Sequence, residues 1–562
     1  MEKAEYLYQA HLIRKELYTN QIYHIKIEGE LRMDKYRLLL RLVIIFLFFG
    51  ITCSLSSVSA KTNPEYGKIF PPKETFTPGD WFTGATPLHV DPKKAPIVFV
   101  HGLNGSANNW YGDTFYYGQN DMYDSFYHAG YQTAFVQLYD ATGKGSVSPW
   151  TNGQLLAEKL ETIYHYFGKK VNVVAHSKGG IDTQAALVQY GAHRFVDKVI
   201  TLGSPHYGTH IADLSYSWWA GWITSLLGQK NGGTYALQTG EMSRFRSIID
   251  TSPAVNFNSY YTIAGTSWGP ALSALSVGGL YLSPYGKNDG LVNEWSTTLP
   301  YSTHLFSDSQ LDHDSIRTGS AVFSRIEPYL QNTHTKNALI SSSLSHPNDQ
   351  MGLTENQTIL GGELLPHTQN HATFTVDTET QATVSVLTAT NNVDIQLISP
   401  AGNRYTKKDA ILTMGDDSFF KGASIQTFQI KNMEIGEWTI DMKTVASKDA
   451  YLVIVHYEEE APFKLKVPNN IKGQEAKLQL QPSDHVPIET DDFDITVRII
   501  DSTGTLISQS NQLQQLNDQT LSTTLQNIKQ SGVYNITVDV QGNNKKGNPY
   551  TRTIVRSMYI EK

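Results

Sequence analysis

The stretch Val173-Val174-Ala175-His176-Ser177-Lys178-Gly179-Gly180 reads as a buried strand, a sharp turn with serine at its apex, and the first residues of a helix. Such a turn forces its apical residue into strained backbone geometry and crowds both flanks. Only small residues fit two positions to either side, a demand that Ala175 and Gly179 meet. The pattern is a nucleophile elbow with alanine in place of its first glycine. The helix that follows aims backbone N–H groups and its positive dipole end at charge developing beside Ser177. Serine between small residues often marks only a turn, so the strand before it and the helix after it give the pattern its weight.

Outward from Ser177, short apolar runs alternate with helix-like segments from about residue 90 to 330, the pattern of an α/β sheet. Ile97-Val98-Phe99-Val100, Thr133-Ala134-Phe135-Val136, Val171-Asn172-Val173-Val174 and Lys198-Val199-Ile200-Thr201-Leu202 are predicted strands. Gly153 to Phe167 and Gly180 to Tyr190 carry apolar residues at helical spacing, Leu155, Leu160 and Ile163 among them. The loop His101-Gly102-Leu103-Asn104-Gly105-Ser106 directly follows the first strand, where an elbow of this kind finds the second half of its oxyanion hole. The expected donors are the backbone N–H groups of Leu103 and Lys178. His101 and His176 are expected to shape these loops without titrating in catalysis.

A nucleophilic serine needs a base to take its proton and an acid to orient that base. With this elbow the chain order is serine, acid, histidine, which puts both partners after Ser177. Asp289 stands in Lys287-Asn288-Asp289-Gly290-Leu291-Val292, a flexible turn presenting one carboxylate; read alone, it fits an exposed turn residue equally well. Asp308 is the reserve acid. For the base, His313 in Leu311-Asp312-His313-Asp314-Ser315-Ile316, just ahead of a final helix, competes with His304 and is the preferred candidate.

Four segments together resemble the bacterial lipases of the α/β-hydrolase fold, the Bacillus, staphylococcal and Pseudomonas types, over about residues 90–330. They are the His101-Gly102 loop, the Ala175-His176-Ser177 elbow with the alanine of Bacillus lipases, Leu202-Gly203-Ser204-Pro205-His206-Tyr207-Gly208-Thr209, and Asn288-Asp289-Gly290-Leu291-Val292. The resemblance implies a carboxylic ester hydrolase, a lipase or carboxylesterase, with Ser177, Asp289 and His313 catalytic, an acyl-enzyme intermediate and no cofactor. Lys178 departs from the hydrophobic residue often found after the serine, although only its backbone N–H is required. Some of these lipases hold a structural calcium near the catalytic histidine, and Asp308, Asp312 and Asp314 offer carboxylates. Their spacing does not reproduce the Pseudomonas-type pattern; they read as solvated loop acids, and no metal ligand is assigned.

With 562 residues the chain exceeds one ordinary core, and 40% apolar against 17% charged residues is a globular composition. A net charge of -8 gives no reason to expect nucleic acid as a partner. From Met33 a basic stretch (Lys35, Arg37, Arg41), an apolar run from Leu42 to about Leu55 and Val58-Ser59-Ala60 form the pattern of a signal peptide cut after Ala60. The run is shorter than the roughly 20 residues a membrane span needs. Residues 1–32 read as an upstream extension, and a secreted, extracellular protein is expected. Cys53, the single cysteine, falls inside the signal, so the mature chain has no disulfide.

The expected domains are residues 1–60 (extension and signal), 61–335 (catalytic α/β-hydrolase), 345–460 (β-sandwich) and 461–562 (immunoglobulin-like β-sandwich). Around residues 335–355 the composition turns to Ser, Asn, Thr and His without periodicity, a linker. Beyond it, Thr373-Phe374-Thr375-Val376, Ala382 to Val386, Val393 to Leu397, Phe493 to Val497 and Val533 to Val538 alternate polar and apolar residues as strands do. Gly436-Glu437-Trp438-Thr439-Ile440 resembles modules appended to secreted bacterial hydrolases, which makes contact with a polymer or the cell wall one expectation and spacing another. Between Thr209 and Gly228, Leu214, Trp218, Trp219, Trp222, Ile223, Leu226 and Leu227 predict a mobile apolar cover over an acyl pocket and a lipid or other water-insoluble ester as substrate. The alternatives are an extracellular polyhydroxyalkanoate depolymerase and, further off, a non-catalytic surface-binding protein on the same scaffold.

Overall fold

The computed structural model describes residues 75–331 and 356–562, the latter without 416–418, 459–462, 467–469, 473–476, 483–492, 512–513, 518–519, 525–527 and 545. The expected extension and signal peptide, Cys53 and the expected linker lie outside the described residues.

A seven-stranded sheet of order β1-β3-β2-β4-β5-β6-β7 lies at the centre of residues 75–331. Its strands are β1 (Trp81–Thr83), β2 (Ile97–Val100), β3 (Thr133–Val136), β4 (Val171–His176), β5 (Val196–Leu202), β6 (Ser259–Gly265) and β7 (Ser302–Asp308). All pairings are parallel except that of β1 with β3. The helices are α1 (Met122–His128), α2 (Pro149–Phe167), α3 (Lys178–Gln184), α4 (His210–Ser215), α5 (Gly221–Leu226), α6 (Gly232–Ala236), α7 (Thr239–Ile249), α8 (Ala274–Leu282) and α9 (Gly319–Gln331). The predicted helix over Gly180 to Tyr190 is real but ends in a π turn at Ala185–Gln189.

Strand side chains alternate, and here both faces are apolar because both are covered. Ile97, Phe99, Val174, Ile200 and Ile263 pack on one face beneath Phe126 of α1 and Val322 and Ile326 of α9. Val98, Val100, Val173, Ala175 and Val199 pack on the other beneath Leu156, Leu160 and Ile163 of α2. Local signals bound α2 sharply: the Ser148 side chain accepts from Thr151 N–H, Pro149 opens the helix, and Gly168 closes it at φ +70°.

Residues 357–457 form a five-stranded and a four-stranded antiparallel sheet around Phe374, Val384, Val386, Ile395, Phe428 and Trp438. Residues 463–561 form a second four- and five-stranded pair, antiparallel except where Asn470–Lys472 runs beside Tyr559–Glu561. The chain is thus an α/β-hydrolase core followed by β-sandwich structure.

The Trp-rich segment differs from the expected cover. Ile211, Leu214, Ala220 and Ile223 share one apolar cluster with Ile359, Leu387, Phe419, Ile425, Leu452, Ile454 and Val555 of the β-rich region. Its inner face is occupied by sheet residues, while Trp222 (53% exposed) and Leu226 (45%) face outward.

Candidate active site

Parallel α/β sheets gather functional loops beyond the carboxyl ends of their strands. Here the loops after β2, β4, β6 and β7 carry Leu103, Ser177, Asp289 and His313. The register explains the convergence of the first two: Val100 pairs with Ala175, so the exits of β2 and β4 lie side by side.

Ser177 has φ 52° and ψ -132°, the strained turn expected of an elbow. Its backbone N–H donates to Leu202 O at 3.0 Å, which ties the turn to the end of β5. Glycine is required on both sides for contact reasons. A Cβ on Gly179 would lie 2.4 Å from His101 O, and one on Gly102 would lie 2.8 Å from Ser177 Cβ. The first turn of α3 and the His101 loop are therefore in backbone contact. The loop itself is held from β3: Leu138 N–H donates to His101 Nε2 at 3.1 Å and Ala107 N–H to the Gln137 side chain at 3.0 Å.

His313 Nδ1 lies 2.7 Å from Asp289 Oδ2. Asp289 Oδ1 accepts from Leu291 N–H at 3.1 Å and Val292 N–H at 2.7 Å, so both carboxylate oxygens are engaged. His313 N–H also donates to Asp289 O at 2.9 Å. Asp289 is fully buried and His313 nearly so. At the end of β5, Gly203 leaves room for the pair, since a Cβ there would meet Asp289 Oδ2 at 3.0 Å.

His176 supports the base. Its Nε2 lies 2.9 Å from His313 O, and the two rings are 4.7 Å apart. A carbonyl can only accept, so Nε2 carries the proton. Burial, with His313 and Arg317 nearby, holds the His176 ring well below the usual imidazole range, and it remains neutral.

Ser177 and His313 line one cavity together with Gly102, Leu103, His176, Leu237, Leu275, Leu291, Val292 and Phe419. Nothing from Trp218 to Leu227 lines it. Phe419, which comes from the first sandwich and is 3% exposed, had no signal in the sequence to place it there.

The competing residues are engaged elsewhere. His304 on β7 meets Thr262 Oγ1 at 3.0 Å and Ser307 Oγ at 2.9 Å. Asp308 pairs with Arg325 at 2.5 Å and Asp314 with Arg317 at 2.6 Å. Asp312 accepts from the Tyr117 hydroxyl and from Asp314 and Ser315 N–H. These carboxylates are committed to protein donors and do not fit a calcium site, and among the described residues no group of three or more His, Cys, Asp or Glu side chains converges on one point.

The profile of the class 2 lipase family matches residues 94–233. Triacylglycerol lipases of Pseudarthrobacter phenanthrenivorans and Burkholderia plantarii are each 31% identical over 128 residues, or 21% of this chain. That match spans about a third of their length, 35% and 31% respectively. The crystal structure of Bacillus licheniformis lipase BlEst2 in its propeptide form is 33% identical. The alignment covers 86% of this chain and 98% of that one with a TM-score of 0.68.

Proposed function

The chain belongs to the bacterial lipases of the α/β-hydrolase fold, and from that premise we propose that it is a secreted hydrolase of lipid esters acting through Ser177, His313 and Asp289. The observation that carries this reading is the His313–Asp289 pair at 2.7 Å in one cavity with a serine on a strained turn. Ser177 Oγ attacks the ester carbonyl carbon while His313 Nε2 takes its proton. Asp289 fixes the Nδ1–H tautomer and stabilises the imidazolium. The N–H groups of Leu103 and Lys178 hold the oxyanion, and the intermediate collapses as His313 protonates the leaving alcohol. Water then cleaves the acyl-enzyme by the same route.

The test compares the full chain with Ser177→Ala on p-nitrophenyl butyrate, an emulsified long-chain triglyceride and a polyhydroxybutyrate suspension. Hydrolysis of the first two that disappears in Ser177→Ala supports a lipase. Preference for the polyester moves the protein to the depolymerases, and activity that survives the substitution ends the triad assignment.

The same reading extends to the β-rich region. The chain covers nearly all of a lipase captured in its propeptide form. Phe419 from that region lines the cavity of Ser177. Residues 356–562 accordingly act as a cover that narrows access to Ser177 in a precursor without abolishing it, and the signal peptide read from Met33 to Ala60 exports that precursor.

A further inference from the structure

Behind the elbow lies a charged cluster that the hydrolytic steps leave unused. Lys178, the residue after the nucleophile, has a fully buried side chain. Its Nζ lies 3.3 Å from Asp140 Oδ2 and 3.1 and 3.0 Å from the two oxygens of Asp182, one turn further along α3. Asn152 of α2 donates through Nδ2 to Asp140 at 2.6 Å and to Asp182 at 2.9 Å. Its carbonyl accepts from Tyr139 N–H at 3.2 Å. Asp140 stands on the turn Tyr139–Thr142 that follows β3.

Burying one ammonium with two carboxylates is costly, and an apolar replacement of similar volume is commonly as stable or more so. The position follows the serine directly, where an apolar residue would pack. Its connections suggest what the charge does. Lys178 carries one of the two N–H groups assigned to the oxyanion, and its side chain reaches the segment whose Leu138 N–H holds His101, the residue that precedes the other donor loop. One tether therefore spans both donor segments, from the first turn of α3 to the exit of β3 and on to the loop after β2.

We propose that Lys178, through Asp140, Asp182 and Asn152, is the positioning residue of the oxyanion hole, setting the spacing between the Leu103 and Lys178 N–H groups. The inference rests on the hydrolase reading of the site. Displacing a donor by a fraction of an ångström weakens a bond realised fully only in the transition state, so kcat falls and KM does not.

Lys178→Met alone strands two buried carboxylates and is expected to unfold the chain. The informative variant is the charge-free Lys178→Met/Asp140→Asn/Asp182→Asn, made in the full chain and checked for folding by circular dichroism and melting. The expected result on p-nitrophenyl acetate is a kcat lower by about tenfold or more with KM within about twofold, since losing a whole donor costs about 10²-fold or more. Inhibition by phenylboronic acid, whose serine adduct mimics the tetrahedral intermediate, should weaken by the same factor. Asp140→Asn, which cuts the link between elements, should show a smaller loss of the same kind. A folded triple variant with unchanged kcat, or one whose kcat loss leaves boronate affinity intact, overturns the proposal. Ser177→Ala runs alongside: activity persisting there means that the hydrolase reading has failed, independently of the tether.

Discussion

Asp289 uses its two oxygens for two tasks: Oδ1 takes the N–H groups of Leu291 and Val292, which aims the carboxylate, and Oδ2 takes His313 Nδ1. Asp289→Asn cannot do both, because its NH₂ group must face either the backbone donors or the Nδ1–H, and the imidazole turns to the wrong tautomer. We expect kcat to fall by about 10⁴-fold in steady-state assays. Asp308→Asn and His304→Gln, which touch nothing in the cavity, should leave kcat within about twofold. Sequence alone left these pairs open because Asp289 sits in a polar loop, Asp308 at the polar end of β7, and the two histidines on or just after that strand. What separates them is engagement with partners far along the chain, which no local pattern carries. Ser177 was legible for the opposite reason, since its strain is written in neighbouring residues. The buried cluster adds a pH effect. Burial pushes Asp182 up to about 7, against the pull of Lys178. A carboxyl raised on folding binds its proton more tightly when folded. Its contribution, on the order of a few kcal/mol, is fully present below about pH 4 and is lost as pH rises through about 7. Buried His176 and His206, held well below the usual imidazole range, pull the other way as pH rises through about 6.5, so the expected signature is differential. Between pH 5 and 8 the melting midpoint of Asp182→Asn should fall less, or rise more, than that of the full chain. An identical slope in the two would remove Asp182 as a contributor.

At the scale of elements, the elbow works because α3 starts against the backbone of the loop after β2. Gly179 is the contact point, with no flexible side chain on the other side to give way. Gly179→Ala should therefore cost about 1–3 kcal/mol through overpacking, seen as a lower melting midpoint, and should slow the reaction of Ser177 with a small phosphonate ester. A variant with wild-type melting and labelling would mean that the two segments separate freely. The four strands β2 to β5 were legible because burial on both faces leaves continuous apolar runs. Strand β1 is three residues long, and β7 is a half-exposed edge with Ser302, Thr303 and His304, so neither shows a run or an alternation. The Trp-rich segment was legible as apolar but not as to what it covers. Hydrophobic spacing shows that a face is buried, and the partner, here a sheet more than a hundred residues away, is a property of the tertiary fold.

At the scale of the whole molecule, the described residues belong to one compact unit, and the seam between the α/β core and the β-rich region is built like an interior. Besides the shared apolar cluster, Asp213 Oδ1 accepts from Thr239 N–H at 2.9 Å and from Ser557 Oγ at 2.5 Å, and Gly240 N–H donates to Ser557 Oγ at 2.9 Å. Trp219 Nε1 reaches Asp539 at 3.2 Å, and a Cβ on Gly240 would meet the Met558 backbone at 2.6 Å. A seam of this density fixes the position of whatever the sandwich extends toward the active site, and Phe419 is what it extends. Phe419 lines the cavity of Ser177, and under the proposed role of the β-rich region as a cover its ring takes space that an acyl chain would use. Because the seam involves many other residues, truncating this one side chain should open the cavity without releasing the region. Phe419→Ala in the full chain is therefore expected to raise kcat/KM on p-nitrophenyl butyrate severalfold, with the gain mostly in KM because the catalytic groups do not move. The loss of packing should lower the melting midpoint, since a large-to-small change in a buried cluster costs about 3–5 kcal/mol. If kcat/KM stays the same or falls while the variant remains folded, Phe419 is part of a productive acyl pocket and the β-rich region completes the enzyme instead of closing it.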